Sequence, residues 1–524
     1  MTGGLARTAS QLAIATAFCM VGASFFAQKQ ARAADLGGDC CANLEDRVAE
    51  LEATTVRKGN KKVTVQLYGK MNWAVEWWND GHEQNMYTVN NDNESNRFGL
   101  IGKAKIQGDW SAGYRFEAEM REALSSRVNQ FDDNANDSNG TLKVRWSSMY
   151  INNKTWGEVR WGLTATPKYD ITKYALETLT SDKSDSPVTD GLSDTMVSDF
   201  RMNDGFRLRP KGPNALNNAN GLSTITWSNI ARCFGSSDQF NCSTRRNGVN
   251  YISPTFLTGF SFQVGEFEDR DWGASLRYTN TFSLWGGGSG ASSADTWQIA
   301  AGAAYEQLRD ERLQTAGGGL AGFSRDFEEE AGSVALKHKP SGLFAEGIWS
   351  TSASNDSNAI GAFNGKEPPL MTAWVAQGGI IRKLPWLGLD RFGETSFWGG
   401  YEDVRNGFAQ GSSAVSGNTP LLSAPAGSGT QNSALGAVRA DGTISGAAFP
   451  GILDPAQRYQ VVGTDVPMWF LALDQDFASA AMHLYLVYQH FSEPEFNVID
   501  KNLNHTTVPL EGFDTIYTGG RMYF

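Results

Sequence analysis

From Lys62 onward the chain repeats one pattern that leaves it few folds. In KVTVQLYGKMNWAVEWW (62–78), Val63, Val65, Leu67, Gly69, Met71, Trp73, Val75 and Trp77 share one parity, and Thr64, Gln66, Tyr68, Lys70, Asn72 and Glu76 share the other. Successive side chains of a strand point to opposite faces, so period two means one dry face and one wet face. The split recurs in NRFGLIGKAKI, where Phe98, Leu100, Gly102, Ala104 and Ile106 oppose Arg97, Lys103 and Lys105. In WSAGYRFEAEMR, Trp110, Ala112, Tyr114, Phe116, Ala118 and Met120 oppose Arg115, Glu117, Glu119 and Arg121. LKVRWSSMY sets Leu142, Val144, Trp146 and Tyr150 against Lys143 and Arg145, and EVRWGL sets Val159, Trp161 and Leu163 against Glu158 and Arg160.

A soluble β-sandwich also alternates, and four features separate the two folds. The runs are about ten to seventeen residues long, whereas globular strands average about five or six and membrane-spanning strands need about nine to eleven. The apolar face of these five strands carries no charge, and a lysine or arginine facing lipid at mid-membrane costs about 2–4 kcal/mol. Trp and Tyr gather at strand ends, as interfacial girdles require. Short turns (QGD after Ile106, NNKT after Ile151, KPSG after His338) alternate with longer polar loops.

Following the alternation predicts strands at 62–78, 96–107, 110–121, 141–152, 156–165, 247–253, 258–267, 271–282, 295–307, 328–339, 342–351, 371–383, 392–403, 466–476, 478–491 and 511–524. The fold expected is all-β, a 16-stranded antiparallel transmembrane β-barrel, with an even count returning both barrel ends to one side. The pair at 258–282 breaks the loop asymmetry, with short EDRD on one side and longer WGGGSGASSAD on the other. One further strand in LSTITWSNI (222–230) would open the way to eighteen.

Residues 1–33 read as a secretory signal peptide: Arg7 in the n-region, an apolar stretch from Leu12 to Ala27, and Ala31-Arg32-Ala33 as cleavage site. That stretch is shorter than the roughly 20 residues of a spanning helix, so the cleaved signal is preferred to an anchor. Its removal takes Arg7, Lys29 and Arg32 and no acid, so 45 basic residues become 42 against 57 acidic, a formal net charge of −15. Such an acidic chain is a poor nucleic-acid binder. Mean hydropathy is negative, as it is for barrels whose strands average out.

A segment at 34–61 precedes the barrel. Leu44, Val48 and Leu51 form one helical stripe, read either as a short coiled coil bundling subunits or as an amphipathic helix lying on the barrel. Cys233 and Cys242 flank a polar loop. An exported chain meets an oxidising compartment, and a local disulfide is favoured over zinc, for which no His lies nearby. The adjacent Cys40 and Cys41 pair between subunits or stay reduced.

The last segment, EGFDTIYTGGRMYF, places Ile516, Thr518, Gly520, Met522 and Phe524 on one parity. A final strand closing on an aromatic resembles the signal read by the barrel-assembly machinery, which makes that machinery an expected partner through Phe524. DLGGDCCANLEDRVAELEATTVRKGNKKVTVQLYG (35–69) resembles the start of the porin family of alphaproteobacteria, where a Cys-Cys-x-x-Leu-Glu helix leads into the first strand. RFGLIGKAKI with AGYRFEAEM, and RRNGVNYISPTFLTGFSF (245–262), are similar to its next segments, while the Gly/Ser/Ala-rich stretch 404–465, expected as a long extracellular loop, matches nothing recognisable. The resemblance implies sixteen strands, a homotrimer among outer-membrane lipid and lipopolysaccharide, no cofactor, and passive diffusion of small polar solutes.

A channel reading singles out residues. The connection 165–246 is far longer than its neighbours and is expected to fold inward as a constriction loop. Its acids Asp182, Asp185, Asp190 and Asp194, among others, would face Arg97, Lys103, Lys105, Arg115, Arg121, Arg145 and Arg160 on the wall, giving a transverse field that sorts solutes by charge. Alternatively those acids are solvated and the wall bases pair with Glu117, Glu119 and Glu158. The loop also holds Lys168, Lys173, Arg201, Arg207 and Arg209, so its charge is mixed, and the net −15 leans towards cations.

Enzyme motifs are missing: the five His show no HExxH spacing, and neither a GxSxG elbow nor a phosphate loop occurs. His483 is expected to face the lumen as polar lining. The Asn/Asp-rich stretch 79–95 lacks EF-hand spacing and is expected to be a solvated loop. A substrate-specific channel for a sugar, dicarboxylate or chelate, marked by clustered lumenal aromatics, is the alternative function. A surface β protein without a channel is the third.

Overall fold

The computed structural model describes residues 62–133, 142–169, 171–180, 203–211, 226–227, 230–231, 245–283, 295–311, 324–354, 369–407, 459–500 and 504–524. The signal at 1–33, the segment at 34–61 with Cys40 and Cys41, the Cys233–Cys242 pair, and Asp182, Asp185, Asp190 and Asp194 lie outside these residues.

Among the described residues, nineteen strands form one antiparallel sheet. The first six are β1 (Thr64–Asn79), β2 (Gln84–Asn90), β3 (Arg97–Gln107), β4 (Trp110–Met120), β5 (Leu142–Asn153) and β6 (Gly157–Ala165). A helix, α1 (Ile171–Thr180), follows. Next come β7 (Arg245–Ile252), β8 (Phe260–Phe267), β9 (Trp272–Phe282), β10 (Trp297–Glu311), β11 (Ser324–His338), β12 (Leu343–Ser354), β13 (Met371–Arg382) and β14 (Thr395–Arg405). The sheet finishes with β15 (Tyr459–Phe477), β16 (Met482–Phe491), β17 (Glu495–Asp500), β18 (His505–Pro509) and β19 (Phe513–Tyr523).

Nineteen strands make sixteen crossings. β2 pairs with the far half of β1 (Asn79↔Gln84 to Trp73↔Asn90) and β3 with its near half (Lys70↔Arg97 to Thr64↔Lys103), so β2 and β3 are one interrupted crossing. β16 with β17, and β18 with β19, are two more, since β15 pairs with both β16 and β17. β19 then pairs with β1 from Lys70↔Tyr523 to Asn79↔Asp514, which closes a 16-stranded barrel. The amide and carbonyl of Gly69 and Phe524 exchange two 3.0 Å hydrogen bonds at the seam. A Cβ on Gly69 would run into the Phe524 ring, so the glycine makes the closure possible.

The outer skin is apolar. Leu67, Met71, Val249, Leu276, Val334, Trp374, Leu471 and Leu484 are all exposed, and each alternates with a lumenal neighbour. Past the apolar band the charges return, as Glu328 and Glu330 show near the start of β11. β1 begins and β19 ends on one rim, here the terminal rim. The irregularity at 258–282 is real: Glu268–Arg270 is a tight 3-10 turn on the far rim, while 283–296 connects β9 to β10 on the terminal rim.

Three expectations need correction. The stretch 79–95 is no solvated loop, because 84–90 is a strand and Asn91 to Asn96 are all buried inside the barrel. The parity of LKVRWSSMY puts Trp146 and Tyr150 on the lipid face. A bulge in β5 opposite Glu117/Ala118 turns both Arg145 and Trp146 inward and inverts the parity beyond it, so Met149 and Ile151 face out. The loop at 404–465 is shorter than expected, since β15 already starts at Tyr459.

Candidate functional site

The lumen is shaped by the long connection between Ala165 and Arg245. Thr166 donates to Glu306 on β10 (2.9 Å), and Lys168 reaches Glu329 on β11 (3.1 Å) in a fully buried ion pair. α1 then lies across the inner faces of β10, β11 and β12. The Ala175 amide donates to Ser333 Oγ (3.3 Å), the Leu176 amide to Glu346 Oε1 (3.1 Å) and Lys337 Nζ to the Leu179 carbonyl (3.1 Å). Its buried face is Ile171, Ala175, Leu176 and Leu179, and the small Ala300, Ala304, Ala331 and Ala335 of β10 and β11 receive it. Burial pushes the hydroxyl of Tyr174 above its usual range.

Residues 203–211 cross to the β16–β19–β1 wall. Asn203 bonds Gln489 (2.9 Å) and Tyr517, Arg209 pairs with Asp80 (2.8 Å), and the Glu511 amide bonds the Arg209 carbonyl (2.8 Å). Phe206 lies 5.2 Å from both Trp78 and Phe513, and Trp227 lies 4.4 Å from Phe491. These loop aromatics join the inward residues of β13 to β16, such as Val375, Val404, Val466 and Phe470, in one buried cluster. That side of the lumen is lined with packed apolar side chains.

A second inward fold comes from the break between β2 and β3. Asn96 accepts from the Asn72 amide (2.6 Å), Asn91 donates to Tyr485 (2.9 Å), and Asp92 is held by Ser125 (3.0 Å) and Ser126. Glu94, at the inner end, meets three cations: Lys70 (2.5 Å), Arg97, and Lys173 of α1 (3.3 Å).

Beside it runs a charged wall. Arg115 pairs with Glu117 (2.7 Å) and donates to Tyr68 (2.9 Å); Arg145 bridges Glu117 (3.0 Å) and Glu119 (2.7 Å). Aromatic rings interleave. The Arg115 guanidinium sits 4.2 Å from the Trp146 centroid and Arg160 5.8 Å from it, while Arg245 sits 5.0 Å over Tyr169. A wet, charged strip facing a dry, packed half inside an apolar-skinned barrel is the arrangement of a solute passage.

A family model described as Gram-negative porin matches residues 15–336, more than half of the chain. The chain belongs to the Gram-negative porin family. No curated protein sequence matches it. Among solved structures it is similar to an anion-selective porin from Comamonas acidovorans (14% identity, 88% of this chain and 100% of that chain, TM-score 0.46). It is similar also to OmpT of Vibrio cholerae (11%, 89% and 99%, TM-score 0.41) and to OmpF of Salmonella typhi in complex with daunomycin (12%, 89% and 99%, TM-score 0.40). At such distances these likenesses say nothing about solutes. The protein is an outer-membrane β-barrel diffusion channel.

In this porin the residues singled out from sequence fall into three places. Arg97, Arg115, Glu117, Glu119, Arg121 and Arg145 converge on the inner wall around mid-barrel. Arg160 pairs with Glu158 (2.6 Å) and reaches the same Trp146. Lys103 and Lys105 stand exposed nearer the terminal rim. The porin's lumen also uses Lys70, Glu94 and Trp146, which the sequence reading did not name as site residues. Lys70 and Glu94 carried a signal, since both are charges on or next to a wet face; Trp146 carried none, because the bulge that turns it leaves no Gly or Pro in the sequence. His483 does face inward and bonds Asp474 (2.7 Å). In the described part of the loop Lys168 pairs with Glu329 of the β11 wall, Lys173 with Glu94 of the second inward fold, and Arg209 with Asp80 just past β1. At the outer edge of that loop Lys211 is raised above the usual lysine range by its bond to Glu493.

Proposed function

We propose that this porin is a general, weakly selective channel for small polar and charged solutes. Its narrowest passage lies between α1 with the Glu94 fold on one side and the Arg115–Arg145–Arg160 wall on the other. The observation that carries this is the charged strip on β3 to β6 beside an inward loop whose described residues pack on the barrel wall. The protein is exported through a cleaved signal at 1–33, is assembled through recognition of the Phe524 strand, and works as a homotrimer in lipid and lipopolysaccharide. No step of chemistry on the solute belongs to this reading.

Liposome swelling with sugars of graded size tests it. The expected rates fall smoothly with size. A saturable uptake curve for one solute would replace the general channel by the specific one, a reading favoured by the clustering of Trp146, Tyr68, Tyr150 and Tyr169 with arginines. The role of the wall has its own test: Arg115→Ala with Arg145→Ala changes conductance and reversal potential if those bases line the passage, and leaves both alone if they do not.

A further inference from the structure

The chain is acidic overall, yet a permeating ion meets the wall beside it, not the distant surface, because screening cuts interactions beyond a Debye length of about 8 Å at physiological salt. We propose that the channel prefers anions, and that Arg115 and Arg160 over Trp146 form a subsite for small organic carboxylates. This rests on the channel reading above and adds its selectivity.

The acids and bases of the lumen differ in accessibility. Glu306, Glu329 and Glu346 are buried beneath the inward loop, with Thr166, Lys168 and the Leu176 amide on them. Glu402, inward on β14, is fully buried as well. Among the described residues, the wall that no loop segment covers in this way is the other one. On β3 to β6, the seven bases singled out from sequence, with Lys143, stand against Glu117, Glu119 and Glu158.

A base stands at each of the five inward levels, and three of those levels also hold an acid: Glu158 in the Lys105 row, and Glu117 and Glu119 in the two uppermost rows. Lys105 stands opposite Ser111 at the bottom. Lys103 follows, in the row that runs through Gly113 and Tyr150 to Arg160. Arg115 is next, opposite Ile101. The row of Gly99 and Glu117 is met by Arg145, and Arg97 lies opposite Glu119, which lies opposite Lys143. Inward levels are two residues apart, about 7 Å along a strand, so neighbouring bases overlap within one screening length. Eight bases against three acids leave this side of the lumen net positive, most strongly at the Lys103–Arg160 and Arg115 levels, and the apolar packing on the opposite side leaves an ion this side to pass along.

The subsite is the most open point of the arginine group. The Arg115 and Arg160 side chains keep 21% and 25% of their surface, against 10% for Arg97 and 9% for Arg145. Both guanidiniums lie within 6 Å of the Trp146 ring, and Glu117 with Tyr68 on Arg115, and Glu158 on Arg160, fix their planes. A planar guanidinium matches a carboxylate with paired N–H donors.

The test uses the full-length protein in planar bilayers under a tenfold KCl gradient. The reversal potential is expected on the chloride side, and succinate added to symmetrical KCl is expected to reduce the current saturably. Arg115→Gln with Arg160→Gln is expected to lower the chloride-to-potassium permeability ratio severalfold and abolish the succinate effect, while Arg115→Lys with Arg160→Lys keeps the sign. If the glutamine pair fails to fold, judged by heat-modifiable migration, Lys103→Gln with Lys105→Gln is expected to lower the ratio in the same direction. A wild-type reversal potential at zero or on the potassium side overturns this inference alone and leaves the channel standing. Glutamine variants that fold and keep the wild-type ratio overturn it as well. Absence of any conductance removes the channel reading, and this one with it.

Discussion

Lys173 Nζ of α1 lies 3.3 Å from Glu94 Oε1 in the break between β2 and β3. α1 rests on β10 to β12, the ninth to eleventh crossings, whereas Glu94 belongs to the second. In a ring of sixteen these are opposite sides, so this ion pair spans the lumen. Glu94 is shared by Lys70 and Arg97 of the wall, which anchors one end of the bridge, and the hydrogen bonds of α1 to Ser333 and Glu346 anchor the other.

Glu94→Gln therefore leaves three cations without their common carboxylate. Removing one partner of a buried ion group costs about 3–5 kcal/mol, and the structure relieves this by letting α1 and the break part. The expected outcome is a larger single-channel conductance with more open-channel noise. A conductance trace identical to wild type would show that the bridge does not limit the passage.

Phe206 is the loop's main apolar anchor, in contact with Trp78, Tyr87 and Phe513. Phe206→Ala opens a cavity where four aromatic rings meet. Core Phe→Ala changes cost about 3–5 kcal/mol, here charged to the loop more than to the barrel. Protease cleavage within 203–211 is expected in the folded variant and not in wild type, with the barrel still resisting heat in detergent gels.

Much of this was legible in advance, for a physical reason. A spanning strand must keep one face free of charge, and that rule writes period two into the sequence strongly enough to place sixteen crossings. The failures have reasons too. The bulge at Arg145 adds one residue to one strand, and nothing in LKVRWSSMY separates a bulged strand from a regular one until Glu117 and Trp146 are seen opposite each other. Asn91 to Asn96 read as a solvated loop because six polar residues in a row normally need water. Here Ser125, Ser126, Asn72 and Tyr485 meet several of their polar groups, and those partners are distant in sequence. β17 and β18 extend the last crossings above the apolar band, where alternation no longer carries a burial signal.

The seam offers a third prediction. Gly69 accommodates the Phe524 ring beside the two hydrogen bonds that join the first and last crossings. Gly69→Ala is expected to lower the temperature at which the folded band disappears in detergent gels, while Gly347→Ala, whose added Cβ would meet nothing nearer than Val334 at 4.0 Å, serves as a site without that clash. Equal melting of the Gly69 variant and wild type would mean that the seam tolerates a displaced Phe524.

Leu471 faces outward on β15, between the inward Phe470 and Ala472. An arginine on the lipid face near mid-membrane costs about 2–4 kcal/mol. Leu471→Arg is expected to lower the free energy of unfolding in lipid vesicles by that amount, which moves the urea midpoint to lower concentration. An unchanged midpoint would place Leu471 against protein or water instead of lipid.

The central claim is a water-filled passage narrowed by the inward loop and the Glu94 fold. Single-channel recording with a series of neutral polymers of increasing size tests it most directly. The account expects discrete conductance steps, reduced by small polymers that enter and restored once a polymer is too large, with the cutoff moving to larger polymers in Glu94→Gln. Steps that are absent, or a cutoff that ignores Glu94, would contradict it.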